Sequence, residues 1–264
     1  MKKTTKDLMC DTDYFSARRI GPVVVFQPKG NFLLNMTIIK AKEAVLEYFE
    51  TMLAHPEIRV VLLLAAPRKA RREEFLCFFD MVRSSRISKN SVMRLYRTID
   101  QIMLHIIASD LFFIDANCGK ILPMNANMAL ACDYRIIGDN AVFQNPALEL
   151  GLISKGGDAW FLCRRLGRGR AFDYLLATHG ITAQEAVAAG LADKCVPSEH
   201  FEVAGIQRSP WSGNTNRAET IPGPPKMILP TITMPASVCR LNGDFSKAGK
   251  PARRPMAPDG KLMR

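Results

Sequence analysis

The chain has 264 residues, of which 48% are apolar and 23% charged, a composition ordinary for a globular protein with one main domain. Its formal charge of +11 favours an anionic partner such as a nucleotide-bearing ligand, a nucleic acid or an acidic lipid. No apolar run reaches the length of a membrane span and no apolar export segment follows the basic N-terminus, so we expect neither membrane insertion nor export.

Helices and strands are predicted in alternation along the first 200 residues. Val92, Leu95, Ile99, Ile102 and Ile106 recur at spacings of 3, 4, 3 and 4, which predicts one face of a helix. By the same criteria, strands are predicted at 22–27, 55–66, 111–117, 133–137 and 142–145, and helices at 37–53, 90–110, 158–166, 169–177 and 182–190. This alternation predicts an α/β fold.

The composition changes after about residue 200. Residues 201–264 hold 9 of the 16 prolines and carry 10 Lys and Arg against 4 Asp and Glu. We therefore divide the chain into a core domain (1–200) and a basic, Pro-rich C-terminal segment (201–264), expected to be a poorly ordered tail. A nucleic-acid arm would need interleaved aromatic residues, which are nearly absent, so no nucleic acid is expected as a partner. A shift of the reading frame near Phe201 is another hypothesis for this segment.

Cysteines and histidines indicate the compartment and the absence of a metal. The seven cysteines show no C-x-x-C spacing and most lie singly in apolar runs, which predicts free thiols and a cytoplasmic location. The four histidines have no metal-ligand spacing, so no metal site is predicted.

A strand-to-helix junction is the most informative stretch, and residues 119–133 read GKILPMNANMALACD. Pro123 suits a first helical turn because the N–H that it lacks would have no partner there. The backbone N–H groups that follow point out of the helix end, where a partial positive charge favours an anion or a developing oxyanion. This junction is therefore the candidate site.

Two longer segments resemble the crotonase (enoyl-CoA hydratase/isomerase) superfamily. They read MALACDYRIIGDNAVFQNPALELGLISKGG (128–157) and RRLGRGRAFDYLLATHGITAQEAVAAGLADKCVP (164–197), and the resemblance extends over roughly residues 15–200. It implies a spiral of β-β-α repeats, a homotrimer or hexamer, and an acyl-CoA ligand related to fatty acid metabolism. It also implies no permanently bound cofactor, since coenzyme A enters as part of the substrate, and an oxyanion hole of two backbone N–H groups.

The resemblance places these two donors at Met124, where the family usually has glycine, and at Phe75 in the first oxyanion loop. Coenzyme A phosphates would meet a basic cluster after the second strand: Arg68, Lys69, Arg71 and Arg72. A solvated charged loop is the alternative for this cluster.

The two hydratase glutamates are absent, because their positions hold Asn127 and Ala147. Neither residue transfers protons as a carboxylate does, so hydration by a Glu pair is not expected. If residues 146–150 are extended, Glu149 faces the same way as Ala147 and is the nearest substitute, although it could equally be a solvent-facing or ion-paired residue. Asn127 could bind substrate or backbone groups, and Asp158 is expected to cap a helix.

Two functions remain open. One is an enzyme that stabilises the enolate of an acyl-CoA thioester for isomerisation, decarboxylation, hydrolysis or hydration. The other is a non-catalytic subunit that binds acyl-CoA.

Overall fold

The computed structural model describes residues 8–65, 71–152, 157–176 and 179–208. The strands are β1 (Cys10–Asp11), β2 (Phe15–Ile20), β3 (Val23–Pro28), β4 (Val60–Leu64), β5 (Phe112–Asn117), β6 (Lys120–Ile121), β7 (Tyr134–Gly138), β8 (Val142–Phe143), β9 (Ile181–Thr182) and β10 (Lys194–Val196). The helices are α1 (Phe32–Asn35), α2 (Ile39–Leu53), α3 (Arg71–Arg83), α4 (Lys89–Ala108), α5 (Pro123–Ala131), α6 (Asp158–Leu166), α7 (Arg168–Leu176), α8 (Ala183–Ala189) and α9 (Phe201–Arg208). A short 3₁₀ turn spans Leu148–Leu150.

The larger sheet has the strand order β1-β2-β3-β4-β5-β7-β10. The pairs β1–β2 and β2–β3 are antiparallel. The pairs β3–β4, β4–β5, β5–β7 and β7–β10 are parallel. A second sheet joins β6, β8 and β9. Strands that alternate with helices confirm the predicted α/β class.

Strands β4 and β5 form the centre of the larger sheet. Every residue of β4 is buried, as expected of a parallel strand covered on both faces. Strand β5 alternates: Ile114 and Ala116 join the apolar cluster that includes Val60 and Leu62, and Asp115 lies between them on the opposite face. A buried acidic residue is therefore held on the central strand.

Helix α9 covers the face of the sheet that carries this cluster. Its residues Phe201, Ala204 and Ile206 pack against the cluster, and a Cβ on Gly205 would lie 2.7 Å from Leu62 Cδ1. The prediction of a poorly ordered tail at 201–264 is therefore wrong for residues 201–208, which form α9. Residues 209–264, which make up most of the segment predicted to be a tail, lie outside the described residues.

Helix α5 is fixed at its C-terminal end by the fully buried Arg135. One Arg135 Nη donates to the Cys132 carbonyl over 3.0 Å, and the other is ion-paired with Asp193. Arg165 donates to the same carbonyl over 3.3 Å. These contacts satisfy a backbone acceptor at the helix end, where intrahelical donors are lacking.

No helix in the described part of the chain combines the length and the apolarity that crossing a membrane requires.

Candidate active site at the N-terminus of helix α5

Helix α5 begins as the sequence predicts, with Pro123 as its first residue. The N-cap, Leu122, is extended, and no side chain among the described residues caps this end. The hydrogen bond of 2.9 Å from Ala126 N to Leu122 O closes the first turn. The N–H groups of Met124 and Asn125 precede that bond, so helical geometry gives them no intrahelical acceptor. They carry the positive end of the helix dipole.

Two adjoining cavities lie beside this helix end, and Asn125 and Met128 contribute to the walls of both. The outer cavity, of about 80 Å³, is bounded by α1, by Leu122 and by Glu74 and Phe75 of α3. The inner cavity, of about 40 Å³, is lined by residues of β3, β4 and β5. Both are small beside the roughly 300–1,000 Å³ of pockets for drug-sized ligands, so they match a short acyl group better than a long one.

The inner cavity has apolar walls and a polar group. Phe26, Phe49 and Ile102 contribute the apolar part, and Asp115 and Asn117 of β5 contribute the polar part. Asn117 Nδ2 donates to Asp115 Oδ2 over 2.5 Å, and the two residues are 2% and 5% exposed. A carboxylate and two amides, including that of Asn125, therefore line a largely apolar cavity.

Phe75 is not at a helix end. It is the fifth residue of α3, and helical geometry directs its N–H to the carbonyl of Arg71. Its side chain packs with Leu122 and Ala147 instead. The expectation of a donor here is wrong in this conformation, because a helix replaces the loop that would have left the N–H open.

Glu149 does not face the same way as Ala147, as it would in an extended segment. The 3₁₀ turn at Leu148–Leu150 rotates successive side chains by about 120°. Ala147 is buried, whereas the Glu149 side chain is 55% exposed and accepts a 2.5 Å hydrogen bond from Arg72. The expectation that Glu149 substitutes for a hydratase glutamate is therefore wrong, and the alternative of an ion-paired residue fits.

The remaining predicted residues are placed as follows. Asn127 is 2% exposed, in the second turn of α5, and does not line either cavity described above. Arg71 is the first residue of α3, and Arg72, the second, lies beside Glu149. Arg68 and Lys69, the other predicted phosphate ligands, lie outside the described residues.

Asp158 does not cap its helix. Gly157 is the N-cap of α6, and Asp158 is the first helical residue, 4% exposed, with one carboxyl oxygen lacking a hydrogen-bond partner among the described residues. Burial raises the pKa of Asp158 to about 8. Burial, and then the charge of Asp158, raises the pKa of the Tyr174 hydroxyl. The two groups therefore lie near each other between α6 and α7.

Asp115, Asn117 and Glu74 were missed as cavity residues in the sequence. The available signal was the strand LFFIDAN, in which two polar residues stand two positions apart, and hence on one face. Across the described residues, no group of three acidic, His or Cys side chains could hold a metal ion.

A family model decides the relationship. The model described as Enoyl-CoA hydratase/isomerase matches residues 28–210, which is more than half of the chain. The chain belongs to the enoyl-CoA hydratase/isomerase family.

Relatives in this family match to different extents. A short-chain-enoyl-CoA hydratase from Clostridium acetobutylicum is 28% identical over 196 residues, which cover 70% of this chain and 69% of the relative. A probable mitochondrial enoyl-CoA hydratase from Dictyostelium discoideum is 37% identical over 83 residues, 31% of this chain and 30% of the relative. The match therefore spans less than a third of that curated relative's length.

Solved structures of this family share the fold. The enoyl-CoA hydratase from Bacillus anthracis matches with a TM-score of 0.61 at 23% identity, over 74% of each chain. The Geobacillus kaustophilus structure matches with a TM-score of 0.60 at 20% identity, over 75% of this chain and 74% of that one. The predicted crotonase-like fold is confirmed.

Proposed function

We propose that the protein binds an acyl-CoA thioester with its carbonyl oxygen at the N-terminus of α5 and stabilises the enolate of that thioester. The carrying observation is a helix end that no described side chain caps, beside a largely apolar cavity, in a chain of the enoyl-CoA hydratase/isomerase family. The N–H of Met124 would donate to the oxygen, with the N–H of Asn125 beside it. Phe75 has no part in this proposal.

The chemistry follows from where charge develops. When a proton leaves the α-carbon, the electron pair moves onto the carbonyl oxygen, and an N–H already directed there stabilises the enolate more than the thioester. One such donor is worth about 2.7–4 kcal/mol in an oxyanion hole. The reaction completed from the enolate remains open among isomerisation, decarboxylation, hydrolysis and hydration.

The basic residues before and at the start of α3 would bind the phosphates of coenzyme A. Arg72 is the member whose side chain is described, and its guanidinium now contacts Glu149. An anionic ligand would compete with that carboxylate. Assembly as a homotrimer or hexamer and a cytoplasmic location belong to the same proposal. The six cysteines within the described residues are free thiols, which supports the latter.

Ligand-dependent unfolding of the full chain tests the binding step. Coenzyme A, acetyl-CoA and crotonyl-CoA are added in turn, and a ligand present at 100 times its Kd stabilises the fold by about 2.7 kcal/mol. We expect the thioesters to raise the melting temperature more than coenzyme A does.

A cavity-filling variant provides the matched comparison. Ala65 lines both cavities, so Ala65→Leu should abolish the difference between the thioesters and coenzyme A. Ala188→Leu, on the exposed face of α8, adds the same volume elsewhere and should leave that difference intact. No stabilisation by any thioester at millimolar concentration would contradict the proposal, as would unchanged binding by Ala65→Leu.

A second candidate is a non-catalytic subunit that binds acyl-CoA. The observation in its favour is that the hydratase glutamate positions hold the buried residues Asn127 and Ala147. Binding of crotonyl-CoA and branched or alicyclic enoyl-CoAs without turnover of any of them would favour this candidate.

A further inference from the structure

The inner cavity holds a carboxylate at a position that the family resemblance does not assign. Asp115 is 5% exposed and lines this cavity together with Asn125, whose N–H lies at the open end of α5. Its side chain leaves the central sheet on the face opposite the cluster of Ile114 and Ala116. Five residues after Asn117, the chain reaches Leu122, the N-cap of α5. The carboxylate and the helix end are thus linked by a short segment.

Neighbouring residues hold this carboxylate in place. Asn117 Nδ2 donates to Asp115 Oδ2 over 2.5 Å, which fixes one oxygen. The walls at Phe26, Phe49 and Ile102 are apolar, so Asp115, Asn117 and Asn125 supply the polar groups of this cavity.

We propose that Asp115 is the catalytic carboxylate of this site and that it moves the α-proton of the bound acyl-CoA, an inference that rests on the proposed function. The α-carbon–hydrogen bond breaks, and the proton forms an O–H bond with Asp115. The electron pair becomes the carbon–carbon double bond of the enolate, and the negative charge settles on the oxygen at Met124 N–H. Return of the proton to carbon restores the carboxylate, so no oxidant, reductant or co-reactant is needed.

Glu74 is the other carboxylate in the cavity walls, but it lines the outer cavity from the first turn of α3 and is half-buried. Glu74 is therefore more accessible to water than Asp115, which is 5% exposed. The experiment separates the two.

The test is exchange of α-hydrogen for deuterium in butyryl-CoA incubated with the full chain in D₂O, followed by mass spectrometry. General acid–base groups contribute about 10²–10⁴-fold to proton transfer. We expect wild-type protein to catalyse exchange and Asp115→Asn to slow it at least about 100-fold. Binding of butyryl-CoA, measured by calorimetry, should change less than about threefold, since the substitution keeps the side-chain shape.

Two further variants complete the test. Asp80→Asn changes an exposed carboxylate at the far end of α3 and should exchange at the wild-type rate. In Asp115→Ala, added formate should restore part of the exchange, because it can occupy the vacated space; a purely structural role of Asp115 would not respond to formate.

The outcomes separate this inference from the proposed function. Absence of binding to every acyl-CoA overturns both. Binding by wild-type protein without exchange overturns the inference alone, and so does exchange that survives in Asp115→Asn or is lost in Glu74→Gln instead. If the Asp115 variants fail to fold, two results still overturn the inference: binding without exchange by wild-type protein, and loss of exchange in Glu74→Gln.

Discussion

Arg72 donates a 2.5 Å hydrogen bond to Glu149, 77 positions away, and so joins the start of α3 to the 3₁₀ turn. If Arg72 binds a coenzyme A phosphate, Glu149 competes for the same guanidinium. We therefore predict that Glu149→Gln tightens coenzyme A binding several-fold, measured by calorimetry at low salt. The free energy of unfolding should change by less than about 1 kcal/mol, because the pair is exposed.

Asp80→Asn is the matched control for this prediction, since Asp80 forms an exposed ion pair with Arg86 in the same part of the chain. It should leave coenzyme A binding unchanged. Weaker binding by Glu149→Gln would show that Glu149 holds Arg72 in position for coenzyme A rather than competing with coenzyme A for it.

The buried carboxyl of Asp158 makes stability depend on pH. Burial raises its pKa from the ordinary 3.8 to about 8. Between those values the unfolded chain loses a proton that the folded chain keeps, so the free energy of unfolding falls as pH rises, by at most about 1.4 kcal/mol per pH unit. Asp158→Asn carries no charge in either state. We predict that it is more stable than wild type at pH 8 and that this difference is much smaller at pH 5, nearer the unfolded pKa of 3.8.

Urea unfolding at the two pH values measures this effect. Asp80→Asn, at an exposed site, should change stability little at either pH. An identical pH slope in wild type and Asp158→Asn would rule out Asp158 as its source.

Restoring a hydratase carboxylate at position 147 should damage the fold. Ala147 is 5% exposed and packs against Phe75 and Leu122. A glutamate there must fit extra volume and bury a charge among apolar side chains, so we expect Ala147→Glu to cost at least about 2 kcal/mol of stability. Ala188→Glu, at an exposed site of α8, should cost less than about 0.5 kcal/mol. A stable Ala147→Glu that hydrates crotonyl-CoA would contradict this prediction.

Helix α9 offers a test of how far the packed core extends. A side chain at position 205 would meet Leu62, which is fully buried. We predict that Gly205→Val destabilises the protein by about 1–3 kcal/mol, seen as a lower melting temperature. Gly169→Val in α7 meets open space and should be nearly neutral. Equal effects of the two substitutions would mean that α9 does not pack on β4 in solution.

Long periodic elements were predictable from the sequence, and short ones were not. The apolar stripe of α4 predicted a helix at 90–110 against the observed Lys89–Ala108. The helix predicted at 182–190 is α8, which begins with a capping box of Thr182 and Glu185. Strands such as β6 have two residues, too few to show a period. Helix α3 was missed because its charged start was interpreted as a loop, although Glu73 and Glu74 in its first turn favour a helix.

Only the part of the site that depends on local sequence was predictable. Pro123 and the residues around it marked a helix start, which depends on local sequence. The cavity beside it depends on α1, α3 and β5 converging, and no local pattern reports that. Asp115 was assigned only to a strand because its neighbours are apolar, and Glu149 was misplaced because Gly151, with a φ of 65°, ends a 3₁₀ turn rather than an extended segment.

The contacts of Arg135 give α5 two unlike ends. Its last residues are held by the buried guanidinium of Arg135, which is itself ion-paired with Asp193. At the opposite end, no side chain in the described part of the chain caps the backbone N–H groups. The fixed C-terminal end should limit movement of α5, so the N–H groups at its start should keep their direction when negative charge develops on a bound oxygen. Electrostatic preorganisation requires this rigidity, because dipoles that must reorient toward a new charge stabilise that charge less.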